Sequence, residues 1–156
     1  MNPTRRAVWL VLVAVLLPAS TGAQASAVNV TAAGTAIYPP GTTYNGAVLT
    51  GMRAGFGVDI AGDGSAAGQF ETTLLGPSSN IVVQGRATGG SNAGTSSATF
   101  SGTCTVDPGD GSAPATNTPF TAAVTSDGAG GGTIAVTLGA TTLSAATVTE
   151  GSLTIR

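Results

Sequence analysis

The chain contains no histidine and no lysine, one cysteine and one tryptophan, and charged residues make up only 8% of it. Each absence excludes a chemistry. Without histidine there is no Ser-His-Asp triad and no imidazole-ligated metal site. With Cys104 alone, no disulfide closes within the chain. The basic residues are all arginine, and beyond the first residues only Arg53, Arg86 and Arg156 remain to face the 7 acids. A mildly acidic domain without a basic stripe lacks the phosphate contacts that supply most nucleic-acid affinity, so no nucleic-acid partner is expected. Low charge together with substantial hydrophobicity also argues against disorder.

What is present begins with a leader. Arg5 and Arg6 precede an apolar run from Ala7 to Leu17, which Pro18 breaks before a small-residue tail ending Ala23-Gln24-Ala25. A basic head, a short apolar middle and a small-x-small site are the parts of a secretory signal peptide. The run is shorter than the roughly 20 apolar residues of a membrane-spanning helix. Residues 1–25 are therefore expected to be a signal peptide cleaved before Ser26, leaving no transmembrane segment in the mature chain. Twin arginines also permit the twin-arginine export route. No cysteine stands just after the cleavage point, so no lipid anchor is expected.

Residues 26–156 then suffice for a single core-bearing domain. Its governing pattern is clearest in Ser97–Val106, where Ala98, Phe100, Gly102, Cys104 and Val106 alternate with Ser or Thr. Successive strand side chains point to opposite faces, so one face enters a core and a hydroxylated face meets water. The same rhythm runs through Ala54, Phe56, Val58 and Ile60, through Phe70, Thr72 and Leu74, and through Ile81, Val83 and Ala87. It returns in Phe120, Ala122 and Val124, in Ile134, Val136 and Leu138, and in Leu153 and Ile155. The segment 142–149 carries it weakly.

Turn residues punctuate these segments at Asn45-Gly46, 62–65, 76–80, 89–92, 107–111 and 127–132. Residues 26–50 hold a first strand (Ser26 to Tyr38) and a Pro39-Pro40 loop, and 51–156 hold the hairpin core. Without a helical period outside the leader, the pattern predicts an all-β antiparallel meander of about eight strands, a small β-barrel or a β-sandwich. Phe56, Phe70, Phe100 and Phe120 fall one each on four inward faces as the large core fillers.

Candidate chemistry is sparse. Asp59 and Glu71 lie on outer faces of adjacent strands, where a hairpin could bring two carboxylates together, but nothing nearby would raise a pKa by burial. Asp63, Asp107 and Asp110 lack the alternating ligands and closing glutamate of a calcium loop and read as turn residues. The glycine-rich 128–132 stretch joins two strands and is no phosphate loop. Cys104 falls on the inward face as a small hydrophobe. Asn29-Val30-Thr31 fits the N-glycosylation pattern, a tripeptide common by chance. No catalytic, cofactor-binding or metal-ligating residue is assigned, and no cofactor is expected.

Six segments carry a resemblance: Ala54-Gly55-Phe56-Gly57-Val58, Val83-Gln84-Gly85-Arg86-Ala87-Thr88, Ala98-Thr99-Phe100-Ser101-Gly102, Phe120–Thr125 with its Asp127-Gly128 turn, Ile134–Leu138 and Gly151–Ile155. In this order, from about Gly51 to Arg156, the chain resembles the post-COAP domain of bacterial extracellular proteins. The resemblance implies an extracellular β-module with no catalytic residues to carry over.

These readings converge on a secreted, non-catalytic β-domain, extracellular, periplasmic or at the cell surface. Its expected role is structural, adhesive or protein-contacting, with an unidentified protein or envelope partner. Scarce charge on the strands leaves open self-association through an exposed strand edge. The alternative is a barrel carrying a small apolar ligand, and an enzyme ranks last.

Overall fold

The structure, a computed structural model, describes residues 27–156; the expected leader and its cleavage point lie outside them. Val, Thr and Phe, whose side chains suit a pleated, half-buried surface, build eleven strands. They are β1 (Val28–Ile37), β2 (Thr43–Tyr44), β3 (Ala47–Val48), β4 (Gly51–Ile60), β5 (Ser65–Leu75), β6 (Asn80–Asn92), β7 (Ser97–Asp107), β8 (Ala115–Ser126), β9 (Gly132–Leu138), β10 (Thr141–Thr142) and β11 (Ala146–Ile155). The described residues hold no helix. The fold is the expected all-β antiparallel meander.

The main sheet runs β10-β9-β11-β1-β4-β5-β6-β7-β8, and β8 also pairs with β9. The pairing therefore returns on itself: a ring of long antiparallel strands, with β1 held between β4 and β11. Its thinnest seam is β9–β11, paired only at Ala146↔Ile134 and Thr147↔Thr133. Beyond that seam, the Leu153 N–H donates to the Gly130 carbonyl at 2.7 Å and the Ser126 hydroxyl to the Leu153 carbonyl at 3.1 Å. These two bonds pin the β8–β9 tip onto β11.

The alternation places side chains as expected. Phe70, Phe100, Phe120 and Phe56 are all buried, and their rings meet at centroid distances from 4.7 Å (Phe70–Phe120, stacked) to 6.2 Å (Phe100–Phe120, edge-on). Such pairs contribute about 0.5–1.5 kcal/mol each beyond the area they bury. Val30, Val58, Leu74, Val83, Val136 and Leu153 are fully buried around them. Thr72, in the inward row, spends its hydroxyl on the Arg53 carbonyl at 2.9 Å, which satisfies the one polar group it brings inside.

Two stretches differ from the sequence pattern. Gly89–Asn92, which reads as a turn, continues β6 and pairs with Ser101–Ala98 after a bulge between Ala87 and Gly89. A β-carbon at Gly90 would stand 3.0 Å from Ile60 Cδ1, so glycine serves close packing there. The Pro39–Leu49 segment is no free loop. Asn45 (φ 48°) and Gly46 (φ 85°) make the tight turn of the β2–β3 hairpin, and Tyr38, Thr42, Tyr44 and Leu49 are buried beneath it. The hairpin caps one end of the ring.

Successive strands run in opposite directions, so the connections sort to two ends. One end carries the short turns 61–64, 93–96 and 127–131. There Asn29 and Arg156 exchange backbone hydrogen bonds of 2.7 and 2.9 Å, so the start of β1 and the end of β11 lie side by side. The opposite end carries the cap and the connections 76–79, 108–114 and 139–145.

Candidate functional site

The residues that the sequence offers for chemistry are kept apart by register. Asp59 stands opposite Ala67 and Glu71 opposite Gly55, four positions along the same hairpin, so the two carboxylates do not form a pair. Asp59 instead accepts a 2.7 Å bond from the Asn29 side-chain amide, and Glu71 a 3.5 Å bond from Gln84.

The turn acids close their own loops. Asp63 Oδ1 accepts from the Ser65 N–H and hydroxyl, and Asp110 Oδ1 from the same two groups of Ser112. These bonds hold both carboxyls below their usual range, because a donor to the charged form favours it. Asp107 accepts from the Gly109 N–H at 2.9 Å. Among the described residues no group of three or more Cys, Asp or Glu is placed to hold a metal ion.

Cys104 is buried on the inner face of β7, and burial pushes its thiol up from the ordinary value. It is therefore a poor nucleophile at neutral pH. Tyr38 and Tyr44 are also pushed upward by burial; the Tyr38 hydroxyl donates to Met52 Sδ at 3.6 Å. All three groups pack the capped end of the interior. The Cys104 position is the inward one its alternation gives, but the burial of the two tyrosines was not visible in the sequence, where both fall in a proline loop; the only signal is that Tyr44 and Leu49 interrupt an otherwise small and polar stretch.

Besides a shallow cleft of about 430 Å³ at the short-turn end, lined by Val28, Ile60, Ala66 and Arg156, two surfaces stand out. The first is the long-loop end. Every proline of the described residues lies in that half of the ring: Pro39, Pro40, Pro77, Pro108, Pro114 and Pro119. The exposed large apolar side chains Ile37 (53%) and Val48 (51%) are there too. Where the cap meets the neighbouring loops there are two clefts, of about 300 Å³ (Gly46, Val48, Pro77, Ser79) and about 120 Å³ (Tyr44, Asn45, Pro108, Asp110).

The second surface is the outer face of β7, β8 and β9. Register aligns Ser97, Thr125, Thr133 and Thr147 in one cross-strand row, and Ser101, Thr121, Thr137 and Thr142 in another. The Thr137 and Thr142 hydroxyls bond each other at 3.2 Å. Neither surface sets a base beside a nucleophile; both offer contact area.

Comparison with protein-family models, with curated proteins and with solved structures returns no match to the chain. No helix among the described residues is long and apolar enough to cross a membrane.

Proposed function

We propose that this chain is a secreted, non-catalytic β-barrel domain of the bacterial envelope or extracellular space, a structural or adhesive module that binds a protein partner through its long-loop end. The observation that carries the proposal is the segregation of the two ends. The backbones of Asn29 and Arg156 sit together at the short-turn end. The capped end, with Ile37, Val48 and stiff proline loops, is the opposite end of the ring. Loops placed by a rigid scaffold are where binding residues concentrate. The likeness of the hairpin segments to post-COAP domains supports the extracellular placement.

Strand-edge self-association draws less support than loop contact. The ring leaves short edges on β8 before Phe120 and on β11 after Thr147. Pro114 and Pro119 flank the first and Glu150 lies on the second, and prolines and charges at edges discourage strand addition. The carrier alternative is weakened by four phenyl rings packed through the interior.

Immobilised protein exposed to its own host's envelope fraction tests the proposal. The expected result is a retained protein partner that is released when Val48 is replaced by Asp. Equal retention by the wild type and V48D, or no retention at all, overturns it. Light scattering over a concentration series is expected to show a monomer, and native mass spectrometry no co-purified ligand.

A further inference from the structure

The end of the β7–β8 connection and the start of β8, Ser112-Ala113-Pro114-Ala115-Thr116-Asn117-Thr118-Pro119, form a hydroxyl-bearing stretch interrupted by two prolines. From Ser112 to Asn117 each residue is exposed. The backbone from Ala115 to Thr118 pairs with β7 alone, because the β8–β9 ladder starts at Phe120↔Leu138. Even that pairing is interrupted. Two residues, Thr116 and Asn117, stand against Thr105 alone in the shift between Cys104 and Val106, and Asn117 takes φ 56°. A bulge of this kind leaves its extra residue unpaired and bends the strand.

Thr116 is thus held in an extended segment, exposed, between two prolines, with its hydroxyl making no hydrogen bond to another described residue. The neighbouring Ser112 hydroxyl is occupied, donating to Asp110 at 2.6 Å. By contrast, Thr121 is exposed but sits inside the sheet, paired with Ser101 on one side and Thr137 on the other. An enzyme that modifies a hydroxyl must grip the backbone around it, and only the first of these two threonines has backbone to offer.

From this placement we infer that Thr116 is an acceptor for O-linked glycosylation. Exposed Ser/Thr stretches broken by proline are the compositional context of O-glycosylated segments, and the chain around Thr116 carries neither an apolar anchor nor a basic residue. The donor is a sugar activated through an anomeric phosphate, either nucleotide- or polyprenyl-linked. The bond from the anomeric carbon to the phosphate oxygen breaks, and the phosphate departs with the electron pair. The Thr116 oxygen bonds the anomeric carbon, and its proton passes to a base of the transferase. No oxidation occurs.

The inference rests on the export reading, and one measurement separates the two. Protein recovered from its own host is analysed by intact-mass and peptide mass spectrometry. The N-terminal peptide reports cleavage before Ser26, and the 112–119 peptide reports added sugar. Whole sugar increments on that peptide are expected, lost completely in Thr116→Ala and kept in Thr121→Ala, with the melting temperature of both variants close to wild type. A correctly cleaved chain of unmodified mass, a phosphate increment, or sugar that survives Thr116→Ala overturns the acceptor assignment while leaving export standing. An uncleaved chain overturns the export reading instead.

Discussion

Phe120 and Gly85 share one place in the interior: a β-carbon added to Gly85 would stand 3.0 Å from Phe120 Cε1 and 2.8 Å from the β-carbon of Cys104. Gly85 pairs with Phe70 on one side and Cys104 on the other, and the Phe120 ring stacks on Phe70 at 4.7 Å. The missing side chain on β6 thus makes room for a ring arriving from β8. Glycine within a strand weakens it by about 0.5–1 kcal/mol relative to alanine, and here the aromatic packing offsets that cost.

Gly85→Ala should therefore destabilise the protein by about 1–3 kcal/mol, the usual penalty for overpacking. Gly55→Ala is the contrast, because nothing lies within 4 Å of the position its β-carbon would take; it should gain about 0.5–1 kcal/mol. Urea unfolding midpoints of the two variants should move in opposite directions. Movement in the same direction would remove the packing role of Gly85.

Phe100 is fully buried and touches the rings of Phe56, Phe70 and Phe120. Its truncation to alanine should cost about 3–5 kcal/mol through lost transfer energy and an unfilled cavity. A thermal melt that stays at the wild-type midpoint would mean that the core is centred elsewhere.

Stability should fall in alkali. Burial raises the Tyr38 pKa, so above the ordinary tyrosine value of about 10 the unfolded chain releases a proton that the folded chain keeps. The unfolded state then binds fewer protons, and unfolding grows more favourable as pH rises; below that value the contribution is fully present. Tyr44 is shifted the same way. Tyr38→Phe should flatten the alkaline slope without abolishing it, as read by denaturant unfolding across that pH range.

Cys104 should be silent toward a thiol reagent in the native state and react fully on unfolding, since its side chain is buried and its thiol is pushed up. Rapid labelling of the folded protein would contradict its position on the inner face.

Much of the architecture was legible because a strand's two faces are a local property of the backbone. The alternation in 97–106 and 54–60 identified the inward residues, and the four phenylalanines went where their parity sent them. Parity, however, changes at each bulge, and a bulge has no reliable local signature. Gly89–Asn92 reads as a turn yet forms strand beyond such a bulge, whereas Asp59 and Glu71 share a hairpin without sharing a partner because the 61–64 turn sets its register. The site was less legible still. Tyr38 and Tyr44 lie next to prolines and glycine in sequence, and only the closing of the ring creates an opening for them to fill.

By itself, then, the sequence determined the all-β class, the inner and outer faces, the turns at Asn45-Gly46 and Asp63-Gly64, and the absence of a histidine chemistry. Tertiary structure alone decided the rest: the pairing of β8 with β9 that completes the ring, the room at Gly85 for Phe120, the cap over one end and the gathering of both described termini at the other. Face and turn preferences arise from neighbouring residues and their dihedral angles. Register, closure and capping arise from contacts between segments distant in the chain, which no short window of residues contains.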